Sequence, residues 1–283
     1  MIDLHSHTNA SDGHLDAAGL VREAWMAGIR VLAVTDHDTV AALEPARTAA
    51  AAFGLTLVAG IELTAVDQGR DVHVLGYFFD PHDPALAECL AAQRAARRER
   101  LQAMARRLAG LGVPIDADAL LAAWPTSRAL GRPALAEAMV AAGHVESTRE
   151  AFDRWLGDDA PAWVRRDGMA VADIVEVIHK AGGLASLAHP VLYGRDDEIA
   201  GWRDAGLDAL EAHHSEHGPE HVQRYREMAV QLGMLITGGS DFHGDPPGRP
   251  PRARPRLLGG VTLPAADFER LESARRGRAA RSS

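Results

Sequence analysis

Short apolar runs, rich in β-branched residues, recur along the chain at Ile2–Leu4, Val31–Val34, Leu55–Ile61, Val72–Leu75, Leu184–Ala188, Leu207–Ala212 and Met234–Thr237. Alanine-rich stretches with helical period lie between several of them, at Asp16–Ala27, Val40–Phe53, Val171–Ala181 and Glu220–Leu232. A helix long enough to cross a sheet returns the chain parallel to the previous strand, so this alternation predicts βα units and a mainly parallel sheet. Gly28, Gly54, Gly182 and Gly233 follow the helical stretches, where a left-handed C-cap is expected. Seven such strands favour a closed or nearly closed barrel over an open sheet. One connection breaks the pattern. The loop AVDQGRD is too short for a crossover helix, so the third and fourth strands are expected to pair as a hairpin.

From about residue 80 to 165 the rhythm stops, and the sequence reads as helices at Pro84–Leu111, Asp116–Ala123, Pro133–Ala142 and Glu150–Leu156, with Ser147 and Glu150 as a capping box. The expected organisation is a barrel from residues 1–80 and 165–270, an inserted helical cap over 81–164, and a basic, disordered tail over 271–283.

Composition narrows the function. The chain has 283 residues, 47% hydrophobic and 24% charged, ordinary values for a soluble globular protein. It lacks a run of about 18 apolar residues and a signal-like start, so no membrane partner is expected and a cytoplasmic location is the default. The lone Cys89 allows no internal disulfide. A net charge of −9 argues against duplex DNA as a partner. Basic stretches at Arg94–Arg107, Arg249–Arg256 and Arg275–Arg281 read as solvated faces or tail. The unusual number is 14 histidines, about twice ordinary usage.

These histidines are placed rather than scattered. His5 and His7 end the first strand on one face, with Asp12 in the loop behind. His37 follows the second strand beside Asp36, Glu62 ends the third, and His73 lies within the fourth. His189 ends the fifth strand, Glu211, His213 and His214 end the sixth, and Asp241 and His243 follow the seventh. The C-terminal ends of parallel strands are where such proteins build sites. This many imidazoles and carboxylates suit two or three divalent ions, with Glu62 as a bridge. The absence of thiolate in these motifs favours manganese, with zinc or iron as alternatives. Paired ions activate water and clamp phosphorus, so hydrolysis is the natural reaction class. No GxxxxGK[ST] loop and no GxGxxG turn is present, so nucleotide cofactors are not indicated.

The motifs HSHTNASDG, TDHDT, GIELT, AHP and GSDFHG resemble, in order, those of the polymerase and histidinol phosphatase (PHP) family of metal-dependent phosphoesterases. The resemblance covers about residues 1–80 and 165–262 and implies a distorted (β/α)7 barrel. It also implies a trinuclear centre: His5, His7, Glu62 and Asp241 on one ion, Glu62, His73 and His189 on a second, and Asp12, His37 and His243 on a third. Many relatives carry His where this chain has Asp12. The inserted segment SRALGRPALAEAMVAAGHVESTREAFDRWLGDDAPAWV resembles a bacterial subfamily that removes the 3'-phosphate of nucleoside 3',5'-bisphosphates, related members of which trim short RNAs from the 5' end. The partner implied is therefore a small nucleotide or a short oligoribonucleotide; a histidinol-phosphate or general small-phosphate phosphatase is the alternative.

Roles follow as expectations. Asp12, His189, His214 and Asp241 read as catalytic, with His214 also a candidate general acid or phosphate ligand. Asn9, Ser11, Arg128, Arg132 and His217 read as further substrate-binding residues. Glu211 reads as a hydrogen-bonding partner of a ligand rather than a ligand. Trp124, Trp155 and Trp163 read as packing residues, with base stacking as the alternative.

Overall fold

The computed structural model describes residues 1–245 and 256–282. Seven strands form one sheet in sequence order: β1 (Ile2–Asp3), β2 (Val31–Val34), β3 (Thr56–Asp67), β4 (Arg70–Tyr77), β5 (Leu184–Leu187), β6 (Ala209–His214) and β7 (Leu235–Gly239). Helices α1 (Ala17–Met26) and α2 (Leu43–Phe53) join the first three strands. The connection from β4 to β5 holds α3 (Pro84–Gly110), α4 (Ala117–Ala122), α5 (Arg132–Ala141), α6 (Thr148–Ala151) and α7 (Val171–Lys180). Helices α8 (Ile199–Asp204) and α9 (Pro219–Leu232) follow β5 and β6, and α10 (Ala265–Ser282) packs against β7.

The edges of the sheet meet, as expected of a barrel. Leu4 N donates to Gly238 O at 3.2 Å and His7 N to Phe242 O at 2.8 Å, while Ser6 and Phe242 form a parallel bridge. Gly239 permits this closure, because a Cβ there would lie 2.3 Å from His5 N. The barrel is distorted at β4, which pairs antiparallel with both β3 and β5. The expected hairpin is present. Gln68 and Gly69, at φ 51° and 80°, make a two-residue turn whose twist suits the paired strands. The anticipated helix-ending glycines Gly28, Gly54, Gly182 and Gly233 all have positive φ.

Burial separates two apolar clusters. The larger fills the barrel and the inner faces of its helices, from Leu4, Leu32 and Ile61 to Leu210 and Ile236. The smaller, with Leu101, Met104, Leu108, Leu135, Met139 and Leu156, belongs to the helical insertion. Helix α3 joins them: Leu86, Cys89 and Leu90 pack into the barrel cluster, and Leu101 onward into the other. Ser147 caps α6 by accepting from Glu150 N at 3.1 Å, but the Glu150 carboxylate reaches Glu146 N at 2.8 Å, one residue beyond a capping box. The chain then continues as a π turn over Phe152–Leu156.

The expected disordered tail is corrected over residues 271–282, which continue α10. Leu271 is fully buried, and Arg278 bonds Asp208. The sequence hid this because Leu271 is the one large apolar residue among four arginines there, while one buried face suffices to hold a helix. Most of the basic stretch 249–256 lies outside the described residues. No helix among the described residues is long and apolar enough to cross a membrane.

Candidate metal centre and substrate cavity

The strand ends converge at one mouth of the barrel. His5 and His7 follow β1, His37 follows β2, His189 follows β5, and Asp241 and His243 follow β7. Glu62 sits halfway along β3, whose second half runs past the barrel rim into the hairpin. His73 is the fourth residue of β4, opposite Thr64. Because β4 runs backwards, its beginning lies where the other strands end, and this brings a histidine in mid-strand to the shared site.

Glu62 is the hub. Its Oε2 lies 3.3 Å from His5 Nε2, 3.2 Å from His7 Nε2 and 3.3 Å from His37 Nδ1. Its Oε1 lies 2.7 Å from His73 Nδ1 and 3.0 Å from His189 Nε2. Asp241 Oδ1 is 3.1 Å from His7 Nε2 and 3.4 Å from His5 Nε2. Asp12 Oδ1 is 3.3 Å from His243 Nε2, and its Oδ2 is 3.7 Å from His37 Nε2. Imidazoles surround Asp12, Glu62 and Asp241 and outweigh burial, holding all three carboxylates well below the usual range. Burial, reinforced by His7 and Arg97, pushes His37 down to about 3, so its ring is neutral. Burial opposes protonation of His7 too, but Asp241 and Glu62 overcome it and hold that ring up to about 10.

This cluster fits divalent cations. His7 Nδ1 and Nε2, His37 Nδ1, His189 Nδ1 and Asp12 Oδ1 are buried without a hydrogen-bond partner. Buried polar atoms without partners are costly, and a divalent cation, which displaces ring protons as it binds, satisfies facing imidazole and carboxylate groups. Among the described residues four groups have donor atoms close enough to share one ion: His7, Asp12, His37 and His243; His5, His7 and Asp241; His5, Glu211 and His214; and His37, Glu62 and His73. These groups overlap the expected division but are not identical to it, since His7 belongs to two of them and His189 reaches the centre through Glu62.

A cavity of about 250 Å3 opens above this floor. Asp12, His37, Glu62, His73, His189, Asp241 and His243 form its base. A second part of its lining is rich in arginine, and the sequence reading missed most of it. Arg97 and Arg100 come from α3, Arg132 from the start of α5, and Arg166 from the segment before α7. The Arg94–Arg107 run is thus not simply a solvated face. Arg97 bonds Asp38 and donates to Thr64 Oγ1 at 2.7 Å, Arg100 Nη1 donates to Asp71 at 2.9 Å, and Arg94 Nη1 donates to Asp38 O at 3.0 Å. Arg166 is 4% exposed, its Nε has no partner, and burial with Arg97 nearby pulls it down to about 10. Spacing in α3 was the available signal, because Gln93, Arg97 and Arg100 recur at i, i+4 and i+7 on one face. Leu101, Met104, Leu135 and Phe152 supply an apolar side, and Arg256 closes the rim by bonding Asp241 and Glu216.

Of the expected substrate contacts, Arg132 lines the cavity, donating from Nη1 to Asp158 at 2.6 Å. The others do not. Asn9 is exposed outside the lining. The hydroxyl of Ser11 is spent on Asp36 at 2.6 Å, fastening the loop. Arg128 donates from Nε to Ser11 O at 3.0 Å and stacks 3.6 Å above Trp124, which clamps the insertion to that loop. His214 is fully buried beneath the floor, with Nδ1 accepting from Glu216 N at 3.1 Å and Nε2 facing Asp241 Oδ2 at 3.3 Å, so it supports Asp241 rather than meeting substrate. His217 bonds Ala212 O at 2.9 Å and faces a separate surface groove. None of the three tryptophans lines the cavity.

Comparison with known proteins agrees with this geometry. Residues 3–113 match the model of the PHP domain family. A 5'-3' exoribonuclease of Haemophilus influenzae is 33% identical over 248 residues, covering 85% of this chain and 89% of the relative. A 3',5'-nucleoside bisphosphate phosphatase of Chromobacterium violaceum is 31% identical, covering 86% and 87%. The structure of a predicted metal-dependent phosphoesterase from Bifidobacterium adolescentis superposes with a TM-score of 0.84 at 32% identity, covering 96% of this chain and 95% of that one. The converging strand ends, the buried imidazole and carboxylate floor and these full-length similarities lead to one conclusion: the chain belongs to the PHP domain family of phosphoesterases.

Proposed function

We propose that the protein is a divalent-metal-dependent phosphomonoesterase that removes the 3'-phosphate of nucleoside 3',5'-bisphosphates, releasing the 5'-nucleotide and phosphate. The observation that carries this reading is that one small cavity is lined by two unlike sets of side chains: the imidazoles and carboxylates of the floor, and Arg97, Arg100, Arg132 and Arg166. Such a cavity favours a small substrate with an anionic group at each end. Ions in the floor, most simply manganese, would supply an activated water and neutralise charge on the phosphoryl group under attack. His5, His7, Asp12, His37, Glu62, His73, His189, Asp241 and His243 would hold them. The arginines would grip the remote phosphate bidentately. Leu101, Met104, Leu135 and Phe152 would exclude water beside the nucleoside.

A second reading, 5'-to-3' cleavage of short RNA, is favoured by the Haemophilus relative. The two share their chemistry, since each breaks the P–O3' bond of a nucleoside that carries a 5'-phosphate. They differ in what lies beyond the 3'-phosphorus. One panel on manganese-loaded protein separates them: adenosine 3',5'-bisphosphate, a 5'-phosphorylated RNA trimer, adenosine 5'-monophosphate and histidinol phosphate. The bisphosphate is expected to be turned over fastest. Faster cleavage of the trimer would move the assignment to the exoribonuclease, and faster turnover of either monophosphate would reject both.

A further inference from the structure

Glu211, at the end of β6, is fully buried and lies outside the cavity lining. Its two oxygens serve two different floor histidines. Oε1 accepts from His5 Nδ1 at 2.9 Å, and Oε2 accepts from the backbone N–H of His189 at 2.7 Å. An ionised carboxylate only accepts, so the Glu211 bond keeps a proton on His5 Nδ1; with a cation in the floor, Nε2, which faces Glu62 at 3.3 Å and Asp241 at 3.4 Å, is the ring atom left to bind it. His189 sits at φ 28° and ψ 58°, a sparsely populated backbone region for a non-glycine residue that costs about 1–3 kcal/mol unless its surroundings hold it.

We infer that Glu211 is a positioning residue that sets the His5 tautomer and pins the His189 backbone with one side chain, so that two floor ligands reach binding geometry together. The inference rests on the reading that the floor binds divalent ions. Its consequence is specific. In Glu211→Gln the His189 N–H can only donate, so the amide oxygen must face it. The amide NH2 then faces His5 Nδ1, which accepts only if the ring proton moves to Nε2, the nitrogen that faces the floor. An isosteric change without loss of volume therefore spoils a ligand it does not touch on its metal side. Glu211→Asp keeps both acceptor atoms on a shorter arm and should retain the tautomer.

The test is calorimetric titration of chelator-stripped protein with Mn2+, with metal content measured after gel filtration and thermal unfolding of the stripped forms. Wild type should bind tightly, Glu211→Gln should bind about 10–100-fold more weakly, and Glu211→Asp should fall between. A role in stability alone would lower Tm with unchanged affinity, which would overturn the proposal. So would the clean loss of one ion in Glu211→Gln with the others at wild-type affinity, since Glu211 would then itself be a ligand. If Glu211→Gln does not fold, Glu211→Asp decides: affinity weakened several-fold supports the role, and wild-type affinity overturns it. Failure of wild type to bind Mn2+ would reject the metal reading itself, an outcome distinct from equal binding by wild type and variant.

Discussion

The floor and the arginine wall of the cavity solve opposite electrostatic problems. In the floor, buried nitrogen and carboxylate atoms face one another, and several have no hydrogen-bond partner. In the wall, guanidinium groups crowd together, and the barrel answers them with Asp38 and Asp71, both held below the usual carboxylate range once Arg97 and Arg100 overcome burial. The floor is therefore incomplete without cations, whereas the wall is already part-neutralised and only biased toward an anion. Loss of a floor residue should remove chemistry, and loss of a wall residue should weaken grip.

The sharpest way to break this comparison is Asp241→Ala. Loss of several kcal/mol of transition-state stabilisation corresponds to a fall in turnover of about 10³-fold. Phosphate release and metal content on the same sample check it, and wild-type turnover would end the floor's assignment. Next comes Asp38→Asn, which removes the buried carboxylate that pairs with part-buried Arg97 and should cost about 3–5 kcal/mol of stability. The sign with pH follows from the lowered pKa: unfolded Asp38 takes up its proton first as pH falls, so the pair's contribution, full at neutral pH, is lost in acid. Denaturant unfolding of both proteins should show their gap narrowing below about pH 4; a constant gap would contradict the pairing.

Arg166→Ala and Arg132→Ala should each remove charge-assisted bonds worth about 1.5–3 kcal/mol, raising KM for the bisphosphate by about 10–100-fold with a smaller change in kcat. With a substrate lacking the 5'-phosphate the penalty should disappear, and an equal penalty on both would return these arginines to a structural role. The smallest effect is expected from Arg128→Ala, whose side chain lies outside the cavity lining, with Nε on Ser11 O and its face on Trp124. KM within about two-fold of wild type is expected, and a larger rise would place Arg128 back at the substrate.

Much of the floor was legible because strand ends announce themselves. Apolar runs ending in His, Asp or Glu mark where each ligand enters, and the short AVDQGRD loop announced the reversed strand that admits His73. The wall was illegible for a corresponding reason. Arginines on a polar helix face look the same in sequence whether they meet water or Asp38, and the partner lies 59 residues from Arg97. His214 failed for the converse reason. It shares a strand end with Glu211, but the sequence does not say which side chains at that end reach the cavity and which brace it from below.

The sequence by itself determined the order of the seven strands and of most helices between them, the hairpin at the AVDQGRD loop and much of the set of residues gathered at the barrel mouth, because these follow from periodicity and loop length within each segment. Only the tertiary structure decided which arginines line the cavity, that Ser11, Arg128 and His214 lie outside that lining, and that Glu211 serves His5 and His189 at once. Those roles depend on pairings across scores of residues, where one hydrogen bond decides whether a side chain is free to act or already spent.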